Sequence, residues 1–167
     1  YLAELIEEWE SALPSHFKLA YLPQPGIVRL RISALGEDKK KLETEVEEQI
    51  KKLGEIIPRL IFGRGVSTLE AEVGKILREK NMTLSTAESC TGGYIAHLIT
   101  TIAGSSDYFK GSVIAYDNEV KESQLSVSHQ TLSDHGAVSE EVVREMAEGV
   151  RKLLGTDYAI STSGIAG

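Results

Sequence analysis

The 167-residue sequence has a single cysteine, Cys90, and few aromatic residues, which make up 6% of the chain. One cysteine excludes an internal disulfide and any metal site built from several thiolates. This usage suits a reducing cytoplasm. No apolar run approaches the ~20 residues that a membrane span needs, and the first residues do not form a signal-peptide pattern. These absences predict a protein that neither enters a membrane nor depends on disulfides.

Positive charge is also scarce. The formal net charge is −7, of which residues 1–66 carry −1 and residues 67–167 carry −6. Neither part has the basic stripe that is typical of nucleic-acid binders, so we do not expect nucleic acid as a partner. The 41% of hydrophobic and 26% of charged residues are ordinary for a globular protein. An anionic substrate would therefore need local N–H groups rather than a general positive field.

Residues 1–64 predict a small two-layer α+β domain. Leu2, Ile6 and Trp9 form a helical stripe, whereas Ile27-Val-Arg-Leu-Arg-Ile alternates as a strand with one wet face does. Gly63-Arg-Gly65 marks the boundary with the next domain. The predicted elements are a helix over 2–13, strands over 18–22 and 27–35, a helix over 37–53 stopped at Gly54, and a strand over 56–62.

Residues 65–167 alternate strands with helices, which predicts parallel βαβ units and a three-layer α/β domain. The strands are too few to complete such a sheet, and the chain begins at Tyr1 without a methionine, so we expect a piece of a longer chain. The predicted elements are a helix opened by a Ser67–Glu70 capping box, a strand over 82–87, a helix over 94–102, a strand over 111–115, a helix capped by Asn118, a helix capped by Ser139 and stopped at Gly155, and a strand over 158–162.

The turn Glu88-Ser-Cys-Thr-Gly-Gly93 separates a buried strand from a helix. Free N–H groups of Gly92 and Gly93 are expected to hold an oxyanion or a phosphate there, because glycine allows close approach of the backbone. Side chains at the carboxyl ends of parallel strands lie at one edge of the sheet. We therefore expect this turn to meet two other strand ends, Tyr116-Asp-Asn118 and Ser163-Gly164.

A serine nucleophile and a lysine base are among the groups at this predicted edge. Ser89 needs a base, and Lys121 can serve as one if burial keeps it neutral. Tyr116 beside such a lysine can relay a proton. We expect the hydroxyl of Ser89 to lie within hydrogen-bonding reach of the Lys121 amine, directly or through one water. Structural roles stay open: Ser89 and Thr91 as helix caps, Cys90 as a buried apolar residue, and Glu88 as a partner of the helix dipole.

Residues at the same edge and elsewhere also raise other chemistries. Asp134 and His135 leave a Ser-His-Asp hydrolase open, although the G-x-S-x-G turn is absent. Glu88, Lys121 and Cys90 also suit a Glu-Lys-Cys amidase, which stays as a mechanistic variant. A dehydrogenase would need a different Tyr–Lys spacing and a G-x-G-x-x-G after a strand. The four histidines lack ligand spacing with carboxylates, so no metal is expected.

Specific motifs carry a family resemblance. The second domain resembles the C-terminal domain of the CinA family of competence/damage-inducible proteins, the PncC-type nicotinamide mononucleotide (NMN) deamidase, and the first resembles the KH-like linker domain before it. The matching segments are KLAYLPQPGIVRLR (18–31), TAESCTGG (86–93), IAGSSDYFKGSVIAYDNEVK (102–121), HGAVSEEVV (135–143) and SGIAG (163–167).

The resemblance implies conversion of NMN to nicotinic acid mononucleotide and ammonia, without a cofactor and in a homodimer. Ser89 would be the nucleophile, Lys121 the base and Tyr116 the assisting residue. The family's N-terminal molybdopterin-binding-like domain is absent from this sequence. The remaining alternative is a non-catalytic nucleotide- or RNA-binding module, for which the only G-x-x-G runs from Gly164 to Gly167. The pocket-lining residues that the resemblance implies are Glu88, Cys90, Thr91, Gly92, Gly93, Asn118, Ser163 and Gly164.

Overall fold

The computed structural model of the chain describes residues 1–165, which divide into two compact units. The first runs from Tyr1 to Arg64 and the second begins at Gly65. Within residues 1–165 no helix is long and apolar enough to cross a membrane. The last two residues of the G-x-x-G segment, 166 and 167, lie outside the described residues.

The first unit packs two helices on one face of a hairpin. Its strands pair antiparallel from Phe17 opposite Ala34 to Gln24 opposite Ile27. Alternate strand residues such as Leu19 and Ile32 join Trp9 in one core, because side chains alternate between the faces of a strand. The elements are α1 (Leu2–Ser11), β1 (Phe17–Gln24), β2 (Ile27–Ala34) and α2 (Lys39–Ile56).

The predicted third strand over 56–62 is wrong. The second helix continues through Gly54 to Ile56, and residues 57–62 form a turn and irregular backbone. Pro58 has no N–H for a ladder and disfavours a central strand. The apolar side chains that suggested a strand are largely exposed, Phe62 among them, and Ile57 packs into the core instead.

The second unit is a three-layer α/β domain, as predicted. Its sheet has the order β4-β3-β5 with all strands parallel. The central strand is buried along its whole length because it has a neighbour on each side and helices on both faces. The elements are α3 (Leu69–Glu79), β3 (Leu84–Glu88), α4 (Tyr94–Thr100), a 3-10 turn (Ser105–Asp107), β4 (Phe109–Ile114), α5 (Asn118–Leu125), α6 (His129–His135), α7 (Glu140–Leu154) and β5 (Tyr158–Thr162).

Two cores lie on opposite faces of this sheet. On one face, Leu84 and Tyr108 pack with Leu77 of α3 and Ile99 of α4. On the other face, Ala87 belongs to a larger cluster that α5, α6 and α7 complete. The helix residues of the larger cluster include Leu125, Leu132, Val142, Met146 and Val150.

Helix termini show where the capping predictions hold. Ser139 caps α7 by accepting a hydrogen bond from Val142 N, as predicted. Ser67 does not cap α3, because the helix starts one residue later and Thr68 stands at the cap without a side-chain bond. Asn118 is not a cap either: Asp117 holds that position and accepts from Glu119 N at 2.7 Å. The helix α6, which has little apolar content, was not predicted from the sequence.

Candidate active site

The structure brings the three predicted strand ends together. At the carboxyl edge of the sheet Glu88 of β3 pairs with Ile114 of β4 and with Thr162 of β5. The hydrogen bonding continues one residue further on each side: Ala115 N donates to Glu88 O at 2.7 Å and Ser89 N donates to Thr162 O at 3.0 Å. The candidate turn is thus held between the ends of both neighbouring strands.

Adjacent residues of the turn belong to opposite faces of the sheet. Ala87 lies in the core formed with α5 and α7, and Ser85 bonds to Thr156 just beyond α7. Ser89 directly follows β3, and continuation of the strand period of two would direct its side chain to this same face. Glu88 faces the other way and meets the first turn of α4.

Lys121 is held on the Ser89 face by α5. Its side chain is only 1% exposed, and Nζ donates to the backbone carbonyl of Tyr116 at 2.9 Å. Burial lowers the pKa of the Lys121 amine, and the charge of Asp117 only partly opposes this. A lysine in this state loses its proton at a lower pH than an exposed one, which is what a general base requires.

Ser89 is 7% exposed and its hydroxyl forms no hydrogen bond with residues 1–165. Of the two predicted arrangements, the direct bond to Lys121 is therefore not formed, and Nζ donates to the Tyr116 carbonyl. Contact through one water stays a prediction. Both groups nevertheless lie at the same edge and on the same face of the sheet. The Ser89 hydroxyl and the Lys121 amine thus lie at the same edge of the sheet, and no hydrogen bond joins them.

The carboxylate of Glu88 does not line a pocket, contrary to the expectation for this residue. It is fully buried and accepts five hydrogen bonds from within the protein. Burial alone would raise the pKa of Glu88, but these bonds, that of Thr91 above all, lower it below its ordinary value. The donors are Thr86 Oγ1 at 3.3 Å, Thr91 Oγ1 at 2.7 Å, Gly93 N at 3.1 Å, Ile95 N at 3.0 Å and Ala96 N at 2.8 Å.

This arrangement also corrects the role expected for Gly92 and Gly93. Gly92 N donates to Ser89 O at 3.0 Å and Gly93 N to Glu88, so neither N–H is free for an oxyanion or a phosphate. The glycines are required by conformation instead, with φ of 58° and 97°. A Cβ at Gly93 would in addition approach Ile114 Cδ1 to 2.9 Å.

The N–H groups that remain are those of Cys90 and Thr91, which donate to no acceptor within residues 1–165. Both residues were predicted to line the pocket, and Thr91 belongs to the turn over 91–93 that the resemblance assigned to the oxyanion, but the N–H of Cys90 was not given this role. A signal was present, because the N–H that follows a nucleophile on a strand–turn–helix commonly forms part of an oxyanion hole. The candidate oxyanion site thus lies directly after Ser89 rather than at the two glycines.

The remaining predicted residues surround this edge. The Tyr116 ring is 70% exposed, and only its carbonyl contacts Lys121. Asn118 is the exposed first residue of α5. Ser163 Oγ donates to Ala137 O at 2.7 Å, and a Cβ at Gly164 would lie 3.1 Å from Cys90 Sγ.

Two alternative chemistries do not fit the geometry. A Glu-Lys-Cys amidase would need Glu88 and Lys121 to act on one substrate, yet they face opposite sides of the sheet. A Ser-His-Asp triad would need Asp134 and His135 at Ser89, but Asp134 accepts from Gln130 on α6 and His135 lies 3.7 Å from Glu141. In the described part of the chain no group of His, Cys, Asp and Glu could hold a metal ion.

These features define a parallel α/β domain with a serine and a buried lysine at the carboxyl edge of its sheet. The CinA C-terminal domain family matches residues 66–167, and the damage-inducible protein CinA KH domain family matches residues 1–63. The chain therefore belongs to the CinA family of competence/damage-inducible proteins.

Individual relatives agree with this assignment. CinA-like proteins of Cytophaga hutchinsonii and Flavobacterium psychrophilum are 48% and 50% identical over 99% of this chain, which spans 40% of the length of each relative. The crystal structure of competence damage-inducible protein A from Klebsiella pneumoniae is 41% identical, with a TM-score of 0.58 over 59% of this chain and 61% of that one. CihA from Agrobacterium tumefaciens is 36% identical, with a TM-score of 0.59 over 64% of this chain and 65% of that one.

Proposed function

We propose that the second unit is an amidohydrolase that converts nicotinamide mononucleotide to nicotinic acid mononucleotide and ammonia. One observation carries this proposal: a buried lysine with a lowered pKa lies at the same sheet edge as a serine hydroxyl that has no hydrogen-bond partner within residues 1–165. Burying an amine without a carboxylate partner is costly for the fold, so its retention favours a chemical role.

In the proposed reaction Lys121 accepts the proton of the Ser89 hydroxyl while Oγ attacks the carboxamide carbon. The tetrahedral oxyanion is stabilised by the N–H groups of Cys90 and Thr91. Collapse breaks the C–N bond, and the lysine returns its proton to the departing nitrogen, which leaves as ammonia. Water then attacks the acyl-enzyme and releases the carboxylate product and Ser89. Tyr116, at the mouth of the site, is the proposed proton relay.

The remainder of the proposal concerns the surroundings of the reaction. Asn118 and the Ser163–Gly164 segment would line the substrate pocket, and no cofactor takes part. The substrate phosphate would bind away from the N-terminus of α4, because Glu88 already occupies those N–H groups. We also propose that the protein acts as a homodimer in the cytoplasm.

The test is ammonia release from NMN by the chain and by Ser89→Ala and Lys121→Met variants. Each variant should lose roughly a thousandfold or more in kcat, because nucleophile and base act as one unit. Ser85→Ala is the matched control: it removes another buried serine hydroxyl from the same face of the same strand, and it should keep kcat within about twofold, since its partner Thr156 is remote from the turn. Full activity in either site variant would refute the assignment, and binding of NMN without turnover by the unmodified chain would favour a nucleotide-binding module.

A further inference from the structure

A chain of three side chains crosses the face of the sheet opposite Ser89. Thr162 Oγ1 lies 2.8 Å from Thr91 Oγ1, which lies 2.7 Å from Glu88 Oε2. A carboxylate can only accept, so Thr91 gives its single hydroxyl hydrogen to Glu88. Thr162 must therefore donate to Thr91. The bonds run in one direction, from Thr162 through Thr91 to Glu88.

These hydrogen bonds between side chains connect the segments that hold Ser89 in place. Thr162 also accepts the Ser89 N–H through its carbonyl, and it directly precedes Ser163. Thr91 is two residues after Ser89, in a turn closed by the bond from Gly92 N to Ser89 O. The backbone of the nucleophile is thus fixed by the end of β5 on one side and by the turn on the other.

We infer that Glu88, Thr91 and Thr162 are positioning residues for Ser89. Their side chains hold its hydroxyl toward the lysine-bearing face while touching neither substrate nor base. The inference rests on the proposed function only in taking Ser89 as the reacting group. It predicts that the three side chains control the rate of attack on the carbonyl rather than the binding of substrate.

A purely structural role makes a different prediction, and the chain offers a matched control. Ser85 and Thr156 form a second buried hydroxyl pair, 2.7 Å apart, at the start of β3 and away from the turn. Removing the Thr156 hydroxyl should lower the melting temperature about as much as removing that of Thr91 or Thr162. It should leave the geometry of Ser89 unchanged.

The experiment compares Glu88→Gln, Thr91→Val, Thr162→Val and the control Thr156→Val at a temperature where all are folded. We expect Glu88→Gln to lower kcat roughly a hundredfold, and each valine variant at the turn roughly tenfold, with KM within about twofold of the parent. Thr91→Ser, which restores the hydroxyl, should recover most of kcat. The inference is overturned if kcat follows melting temperature in all variants, Thr156→Val included, or if the valine variants at the turn keep the parental kcat.

A second readout separates this inference from the proposed reaction. Labelling of Ser89 by a fluorophosphonate probe, followed by mass spectrometry, reports its reactivity without NMN. If the parent releases no ammonia but its Ser89 is labelled, and Glu88→Gln slows that labelling, the amidase proposal fails and the positioning role is supported. If Ser89 of the parent is labelled no faster than Ser85, the positioning role is overturned as well.

Discussion

The two faces of the sheet at its carboxyl edge use their polar groups in opposite ways. On the α4 face a single carboxylate accepts from five donors, and one of them, Thr91, is itself hydrogen-bonded to Thr162. On the α5 face a serine hydroxyl has no partner within residues 1–165, and a lysine amine bonds only to a carbonyl. The residues that head these two faces, Glu88 and Ser89, are neighbours in sequence.

The difference shows how a structural cluster is distinguished from a reactive one. Polar groups that stabilise a fold are saturated with partners, because an unmet buried donor or acceptor is costly. Groups that carry out chemistry keep bonding capacity for a substrate. By this measure Glu88 belongs to the structural framework, and Ser89 and Lys121 fit the proposed active site.

The largest effect on stability is expected where α7 crosses α5 on the site face. A Cβ at Gly149 would collide with the backbone carbonyl of Leu125, so Gly149→Ala must push α5, the helix that bears Lys121, away from α7. We expect a loss of about 3 kcal/mol in the free energy of unfolding, measured by urea denaturation. Gly54→Ala is the control, because nothing lies within 4 Å of its Cβ in a helix interior, and it should be neutral or slightly stabilising. Equal effects of the two substitutions would contradict the close approach of α5 and α7.

An intermediate effect is expected on the saturated face. Glu88→Gln should lower the free energy of unfolding by about 2–3 kcal/mol at pH 7, because a neutral amide cannot accept from all five donors. The folded-state pKa of Glu88 is lowered, so its contribution is present above the unfolded value of about 4.3 and is lost as the pH falls through the folded value. The difference in the free energy of unfolding between the parent and Glu88→Gln should therefore become smaller as the pH falls. Glu148→Gln, at an exposed position, should show neither effect, and a gap that stays constant into acid would exclude an ionised Glu88.

The smallest effect has the opposite sign and belongs to the reactive face. Lys121→Met should raise the free energy of unfolding at neutral pH, by on the order of 1 kcal/mol, because the methionine has no charge to desolvate. The folded-state pKa of Lys121 is lowered, so the folded parent binds fewer protons than the unfolded chain between that pKa and the ordinary value of about 10.4. The free energy of unfolding of the parent therefore rises with pH across this window. The stability gained by Lys121→Met should become smaller over the same range. Lys110→Met, on an exposed strand residue, serves as the control. A gain independent of pH would show that Lys121 is not desolvated.

The parallel βαβ arrangement and the position of the turn after β3 could be predicted from the sequence, because the local pattern agrees there with the burial that the sheet imposes. Residues 82–87 are apolar or small without alternation, as a strand covered on both faces requires, and β3 is buried throughout. The failures occurred where the local pattern was ambiguous. The apolar run after Ile56 looked like a strand, but Pro58 and the exposure of its neighbours show that it has no sheet to join.

The sequence predicted which residues lie at the carboxyl edge of the sheet better than it predicted the hydrogen bonds among them. The sequence places Glu88, Ser89 and Thr91 in one turn, yet which face each side chain takes depends on the register of β3 with its neighbours. For that reason the glycine N–H groups were assigned to a ligand although Glu88 and Ser89 O already accept them. The N–H groups of Cys90 and Thr91 have no acceptor within residues 1–165, which only the folded backbone shows.

The carboxylate at the start of α4 has one more consequence. Because Glu88 is covalently part of the protein, its local concentration at the N–H groups of the first turn of α4 does not fall on dilution or dialysis. Inorganic phosphate or sulfate in the cell or in an assay buffer would have to displace a tethered competitor there. The turn should thus hold its shape regardless of which anions the surrounding solution contains.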